Sequence, residues 1–203
     1  MLQSNMTRAF GAAAIALSVM ATAAPAQQPG RIRGQIEKVD GNLWTVKTRE
    51  GATLSMKSDD KTRVSALVKT SISEIKPDTF IGVAGIPRPD GSIEAFSIHV
   101  TSAPRGQGEG ERPWDARPAS TMTNTYFVSM VSKGDNQVLT VKNKDGEKKV
   151  IVTSATAIAA AAPADKSELK PGAQIIIFGW AKQPDGTILV KSMYVGRGLT
   201  PAM

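Results

Sequence analysis

The feature that most constrains the fold of this chain is an internal repeat. The stretch IKPDTFIGVAGIPRPDGS at residues 75–92 returns as LKPGAQIIIFGWAKQPDGT at residues 169–187. Shorter motifs, among them TVK and PDG, recur in the same order at an offset of 95 residues. Matches that keep their order at a nearly constant offset indicate two copies of one folding unit. We place these copies at about 31–103 and 124–196.

Each copy predicts the same series of elements. Alternating apolar and polar residues predict strands, as in LWTVKTR at 43–49, and Gly-containing pairs mark the hairpins between them. A short helix follows: Ser71 and Asp165 fit the N-cap of a capping box, and the prolines of the two Lys-Pro pairs end the helix early. A Pro-Asp-Gly turn then joins two further strands. The piece RVSALV at 63–68 is extended and continues or bends the third strand.

The predicted fold class is all-β with one short helix per unit, arranged as a tandem repeat of two OB-like five-stranded barrels. The order β-β-β-α-β-β is that of the OB barrel. Closing the sheet removes its exposed edges, and the helix can plug one end of the barrel. An open SH3-like or sandwich arrangement of the same strands is the alternative. Trp44 stands where the second copy has Leu139, so we expect both side chains in the cores.

The N-terminal segment has the pattern of a secretory signal peptide. Arg8 is followed by the apolar run AFGAAAIALSVMA and then by the small-x-small sequence that ends at Ala26. The run is shorter than the ~20 apolar residues that a membrane-spanning helix needs. We predict cleavage near Ala26, localisation in the periplasm or outside the cell, and no transmembrane segment in the mature chain. An uncleaved N-terminal anchor is the alternative.

A segment rich in Gly and Pro separates the two copies. The predicted domains are a signal peptide at 1–26, a first β-barrel unit at 27–103, a connector at 104–123, and a second β-barrel unit with its tail at 124–203. The connector composition resists regular structure, yet it contains Trp114. We interpret Trp114 as an anchor that packs between the barrels.

Two alternatives for the connector stay open: a ligand loop with Glu109, Glu111 and Asp115 as oxygen donors, or a segment that docks a partner. Outside the connector, Trp180 stands beside a glycine at a strand end. It could form a stacking platform, although packing at the barrel mouth is the expectation. The candidate ligand- or partner-binding residues are Arg105, Glu109, Glu111, Arg112, Trp114, Asp115 and Trp180.

Residue types that carry catalysis or hold transition metals are scarce. The chain has no Cys and one His, whereas zinc and copper sites take several such ligands. A serine nucleophile would lack both a base and a Gly-x-Ser-x-Gly turn. Phe96, Ile98 and Val100 share one face of their strand, so we expect His99 to point outward as a solvent-facing or rim residue. We therefore predict no catalytic residue, no metal site and no cofactor, and we classify the chain as a non-enzyme.

Positive charge is spread along the chain rather than gathered in one run. The formal net charge is +7. Lys47 and Arg49 on one predicted strand, and Lys142 and Lys144 on its counterpart, give each barrel a basic outer face. A basic groove on an OB-like barrel suits a polyanion or nucleic acid. Export from the cell would remove most nucleic-acid partners, so we disfavour them.

Several motifs resemble those of a bacterial protein family. The stretches RGQGEGERPWD, STMTN, SELKPGA and KQPDGT resemble secreted Gram-negative proteins built on a small β-barrel domain of unknown function. Some members are labelled metal ABC transporter permeases. Such a permease needs several membrane spans, and the sequence after residue 26 contains none, so the residues do not support that label. The resemblance implies no catalytic residues.

The function predicted from the sequence is a secreted or periplasmic tandem β-barrel module for binding or cell-envelope interaction. Its partner would be an unknown envelope protein or a small ligand. Two alternatives belong to other classes. One is an accessory protein in metal handling or transport, and the other is a polyanion or nucleic-acid binder that uses the OB-like barrels.

Overall fold

The chain folds almost entirely into β-strands. The structure is a computed structural model that describes residues 30–101 and 108–201. The predicted signal peptide and Arg105 lie outside these residues. The described part contains the strands β1 Ile32–Asp40, β2 Leu43–Thr48, β3 Thr53–Lys57, β4 Arg63–Lys69, β5 Phe80–Pro87, β6 Ile93–Val100, β7 Gly110–Pro113, β8 Thr121–Lys133, β9 Asn136–Asn143, β10 Gly146–Val152, β11 Ala157–Pro163, β12 Gln174–Lys182 and β13 Ile188–Arg197.

Two single-turn 3-10 helices, Ile72–Glu74 and Lys166–Glu168, complete the described elements. They follow β4 and β11 respectively, so the order of elements is the same in both halves. This confirms the predicted all-β class with one short helix per unit. The extended piece at 63–68 forms a separate strand, β4, and each half therefore has six strands besides β7. Within the described residues, no helix has the length and hydropathy to span a bilayer.

The strands close into two five-stranded barrels. Barrel A is the ring β1-β2-β3-β13-β12, and barrel B is the ring β8-β9-β10-β6-β5. Short parallel ladders complete the rings, with Met56 opposite Ile188 in barrel A and Val150 opposite Ile93 in barrel B.

The two halves of the chain exchange strands. Each barrel contains the first three main strands of one half and the last two strands of the other half. Barrel A combines β1 to β3 with β12 and β13, and barrel B combines β8 to β10 with β5 and β6. We expected the units at 27–103 and 124–203 each to close a barrel of their own, and that expectation is wrong. The physical reason lies in β4 and β11, which stay extended for seven residues each and carry the chain from one barrel to the other.

A pair of central strands joins the barrels. These central strands are β4, which runs parallel to β13, and β11, which runs parallel to β6. β4 and β11 pair with each other in antiparallel fashion. Leu67 lies opposite Ala161 in this pairing. The two residues also occupy equivalent positions of β4 and β11, so a local twofold axis passes between them.

Each barrel has its own apolar core. Trp44 is 1% exposed in the core of barrel A, and Leu139 is fully buried in that of barrel B, as the repeat predicted. Ile75 and Leu169, which directly follow the two helices, are buried in the cores of barrels B and A. The helical turns themselves contain no buried residue. The apolar residue that follows each turn is therefore the one that packs into a barrel core.

A third apolar cluster lies between the barrels. In β12, Ile175 and Ile177 point into barrel A, whereas Ile176 belongs to the cluster between the barrels. In β5, Val83 points into barrel B and Ala84 belongs to the same intervening cluster. Strands buried on both faces read as continuous apolar runs, which explains the sequences IIIF in β12 and FIGVAGI in β5.

The predicted turns and caps are present with one difference. Asp90 accepts hydrogen bonds from the Ser92 backbone N–H and hydroxyl at 3.0 and 2.6 Å, and Asp185 does the same for Thr187. These contacts confirm the Pro-Asp-Gly hairpins. The helix caps are tighter than a capping box, because Ser71 accepts from the N–H two residues on, at Ser73, rather than three.

Candidate functional site: the cavity between the barrels

The connector is more regular than its composition predicted. Its residues Gly110–Pro113 form β7, which pairs with residues 121–124 of β8. β9 pairs with β8 only from Tyr126 onward, so the first part of β8 would otherwise have an open edge. Covering that edge satisfies backbone groups that would attract other strands. Gly110 has a φ of 112°, a value that side-chain-bearing residues rarely adopt.

Trp114 follows β7 and enters the space between the barrels. Its side chain is 7% exposed and packs in the cluster that contains Ala84 and Met122 of barrel B and Ile176 of barrel A. Its backbone N–H donates to the carbonyl of Ser120 at 2.8 Å, which fixes the turn that carries it. Trp114 therefore lies where the anchor interpretation expects it.

Arginines surround the ring of Trp114. The guanidinium carbon of Arg31 lies 3.6 Å from the ring centroid, which is a cation–π contact. Arg33 donates from Nη2 to Asp115 Oδ1 at 2.7 Å, and the Arg31 backbone N–H donates to Asp115 Oδ2 at 3.3 Å. Burial acts to raise the pKa of Asp115, but the hydrogen bond and charge of Arg33 outweigh it and hold that pKa below its usual value.

A cavity of about 460 Å³ opens beside this cluster. We call it the inter-barrel cavity, because its walls come from the connector and from strands of both barrels. Its size falls within the range of small-molecule sites, about 300–1,000 Å³. The described residues that line it are Arg31, His99, Thr101, Gly108, Arg112, Trp114, Met122, Asn124, Phe178 and Tyr194.

The inter-barrel cavity carries an excess of positive charge. The guanidinium carbon of Arg112 lies 5.6 Å from the Trp114 ring centroid, and no carboxylate of the described residues forms an ion pair with it. Burial lowers the pKa of Arg112, and the nearby charge of Arg31 lowers it further. Two guanidinium groups thus repel each other at one cavity, where the nearest acid, Asp115, is already bound to Arg31 and Arg33.

His99 is partly exposed on the wall of the inter-barrel cavity, so it is a rim residue rather than one that faces open solvent. Its position in β6 does direct the side chain out of barrel B. Strand β11 pairs with β6 there, however, and Ala159 lies opposite His99. The imidazole lies over Gly82 of β5, where a Cβ atom would come within 2.0 Å of its Cε1. Burial, with a smaller contribution from the charge of Arg112, lowers the pKa of His99 to about 4.

Three of the lining residues hold buried polar atoms that make no hydrogen bond within the described part of the chain. These atoms are Nε of Arg31, Nδ1 of His99 and Nε1 of Trp114. Buried polar groups are normally paired, and an unpaired one costs about 1–3 kcal/mol. The guanidinium and indole N–H groups can only donate, so two of the three atoms are unpaired donors next to the cavity.

The remaining connector acids bind donors of barrel B rather than a common point. Glu111 accepts from Lys148 Nζ at 2.7 Å and from the Thr123 hydroxyl at 3.0 Å. Glu109 accepts from the Lys144 backbone N–H at 3.2 Å. In the described ranges, no three residues among His, Cys, Asp and Glu converge as metal ligands. The interpretation of Glu109, Glu111 and Asp115 as one set of oxygen donors is therefore not supported by their positions.

Trp180 lies away from the inter-barrel cavity. Its side chain is partly buried against the core of barrel A, and its Nε1 donates to the carbonyl of Gly30 at 2.8 Å. Sequence reasoning thus named Arg112, Trp114 and Asp115 of this region but missed Arg31, His99, Phe178 and Tyr194. One signal was present, since His99 and Tyr194 stand at equivalent positions of the repeat, 95 residues apart.

A second basic cavity, of about 500 Å³, lies on the outer side of barrel A. Its lining includes Lys47 and Arg49 of the predicted basic face, together with Arg33 and Arg117. The guanidinium carbon of Arg117 lies 4.1 Å from the ring centroid of Phe96. This cavity therefore combines cations from β1, β2 and the connector.

Comparison of the chain with family models, with curated proteins and with solved structures found no match.

Proposed function

We propose that this chain is a ligand-binding module of the cell envelope, and that the inter-barrel cavity is its binding site. The observation that carries the proposal is the convergence of cations, aromatic rings and unpaired donors on one cavity. These groups come from β6, β12, β13, the connector and the residues before β1. Elements so far apart in sequence meet there because the strand exchange holds the barrels together.

The lining suits binding better than catalysis. Its described residues offer two guanidinium groups, aromatic rings, one amide and two hydroxyls, while its single imidazole has a pKa of about 4. A general base works best when its pKa lies near the operating pH. At neutral pH, His99 is therefore a neutral hydrogen-bonding group rather than an efficient proton acceptor.

The site is tested by blocking it. The variant Thr101→Trp places a large side chain on the cavity wall, and Lys133→Gln changes an exposed hairpin residue that lines a different cavity. We expect small ligands that bind the parent and Lys133→Gln in isothermal titration calorimetry to lose this binding in Thr101→Trp. Equal affinity in the parent, Lys133→Gln and Thr101→Trp would place the binding elsewhere.

The envelope location rests on the N-terminal sequence pattern, and it predicts a specific mature protein. Expression of the full chain in a Gram-negative host should yield periplasmic protein that begins at Gln27. Intact-mass measurement of the fractionated protein checks this. Recovery in the cytosol with Met1 retained would contradict it.

A second candidate function, polyanion binding, is favoured by the basic cavity on barrel A. Contacts to a polyanion make affinity fall steeply with salt. Heparin retention should then drop between low and high salt, and Lys47→Gln with Arg49→Gln should weaken it while Lys133→Gln does not. Equal heparin retention of the parent, the Lys47→Gln and Arg49→Gln double variant and Lys133→Gln would remove this candidate.

A further inference from the structure

We infer that the ligand of the inter-barrel cavity is a small planar organic acid whose carboxylate faces Arg31 and Arg112. The inference rests on the proposed function and specifies the chemistry of the ligand. Three observations on the lining lead to it: the unpaired donors, the unbalanced charge and the rings.

The donors determine which ligand atoms fit. Arg31 Nε and Trp114 Nε1 are buried donors without a partner among the described residues, and neither can accept a hydrogen bond. A ligand that brings oxygen acceptors satisfies them once the side chains shift to expose these atoms, whereas a ligand that brings an ammonium group leaves them unpaired. A carboxylate offers two oxygens with about four lone-pair directions. It also matches the planar fork of a guanidinium.

The charge favours an anion over a neutral acceptor. Asp115 is held by Arg31 and Arg33, and Glu111 is held by Lys148, so neither acid balances Arg112. An anion in the cavity would relieve the repulsion between Arg31 and Arg112. Because these groups are partly removed from water, the attraction is screened less than it would be on an open surface.

The rings favour a flat apolar body next to the carboxylate. Phe178 and Tyr194 meet edge to face, with centroids 5.2 Å apart and an interplanar angle of 84°, and both line the cavity with Trp114. Aromatic walls prefer offset-stacked or edge-to-face partners. A single-ring acid satisfies both parts of the lining within about 460 Å³.

A series of single-ring compounds that differ in charge tests the ligand class in the full-length protein. Benzoate, benzamide and benzylamine share one ring and differ in charge at one group. Isothermal titration calorimetry should give benzoate at least about tenfold tighter binding than benzamide, in line with a charge-assisted hydrogen bond, and no binding of benzylamine. Arg112→Gln should remove the preference for benzoate, while Lys133→Gln keeps it.

The outcomes separate the two proposals. Equal binding of benzoate and benzamide, lost in Thr101→Trp, would overturn the organic-acid inference but leave the cavity as the binding site. Unchanged benzoate preference in Arg112→Gln would also overturn the inference. If no member of the series binds, the inference fails. If other small ligands in addition bind the parent and Thr101→Trp with equal affinity, the proposed function fails with it.

Discussion

At the scale of single residues, the inter-barrel cavity depends on where the chain places small and large side chains. Gly82 leaves room for the imidazole of His99, and a side chain there would meet its ring. At the other side of the cavity, Phe178 and Tyr194 of barrel A are large and pack edge to face. The cavity is therefore asymmetric although the fold around it has a local twofold axis.

Replacement of Trp114 tests its role as an anchor. Trp114→Ala should lower the free energy of unfolding by about 3 kcal/mol or more, because a buried tryptophan is removed from a packed cluster. Trp180→Ala, which removes a partly buried tryptophan and one hydrogen bond, should have the smaller effect. Urea denaturation of both variants measures this. Equal unfolding curves for Trp114→Ala and the parent would show that the connector is not anchored by this residue.

The titration of His99 makes a pH-dependent prediction. The pKa of His99 is about 4 in the folded protein against an ordinary value of 6.5. Between these values the unfolded chain binds a proton that the folded chain does not, so stability falls as the pH drops from 6.5 towards 4. His99→Asn should remove this dependence. Because the chain has one histidine, its NMR ring signal is unambiguous, and a midpoint near 6.5 would contradict the prediction.

At the scale of elements, β4 and β11 decide how the barrels connect. β11 has the sequence AIAAAAP and little side-chain bulk. It is held by ladders on both sides, to β6 and to β4. Backbone hydrogen bonds therefore contribute more to its position than side-chain packing does.

A proline in β11 tests this dependence on backbone pairing. Ala160 pairs with Val100 on one side and with Val68 on the other. Ala160→Pro removes an N–H from the ladder and should destabilise the protein by about 1–3 kcal/mol. Ala160→Val keeps the N–H and favours strands, so it serves as the matched control. Thermal denaturation compares them, and similar melting temperatures for both variants would contradict the central role of this ladder.

Local chemistry made many elements predictable. The hairpins and the helices follow from a few neighbouring residues, such as Asp90 with Ser92. The burial of Trp44 follows from its match to Leu139 in the repeat. The strand exchange could not be predicted, because β5–β6 and β12–β13 carry nearly the same pattern and either pair fits beside β1 to β3. The cavity was predicted only in part. Arg112 and Trp114 belong to the distinctive connector, whereas Arg31 and Tyr194 acquire their positions only from the packing of one barrel on the other.

At the scale of the whole molecule, the exchange makes each barrel a product of both halves. Barrel A is built from both ends of the described chain, residues 32–57 and 174–197, and barrel B is built from strands between Phe80 and Val152. The barrels cannot separate without breaking a ladder of the central strands β4 and β11. The inter-barrel cavity is thus a fixed feature of the fold rather than a contact between independent domains.

Engineered disulfides test the exchange directly, since the chain has no cysteine of its own. Lys57 pairs with Leu189 across β3 and β13, so Lys57→Cys with Leu189→Cys should form a cross-link on oxidation. Glu94 is the equivalent of Leu189 in the first half, 95 residues earlier. Lys57→Cys with Glu94→Cys should stay reduced, because the two sites lie in different barrels. Peptide mapping without reductant distinguishes them, and the reverse pattern would mean that each half closes its own barrel.

The strand exchange also sets an order of assembly. Barrel B is complete once the chain has reached Val152, but barrel A needs β13, which ends at Arg197. Contacts of such long sequence separation form slowly. Pulsed hydrogen exchange during refolding should therefore protect β8 to β10 before β1 to β3. Until the last strand arrives, β1 to β3 form an open sheet with unpaired edges, and in that interval a chaperone or a neighbouring chain competes with β13 for the edge.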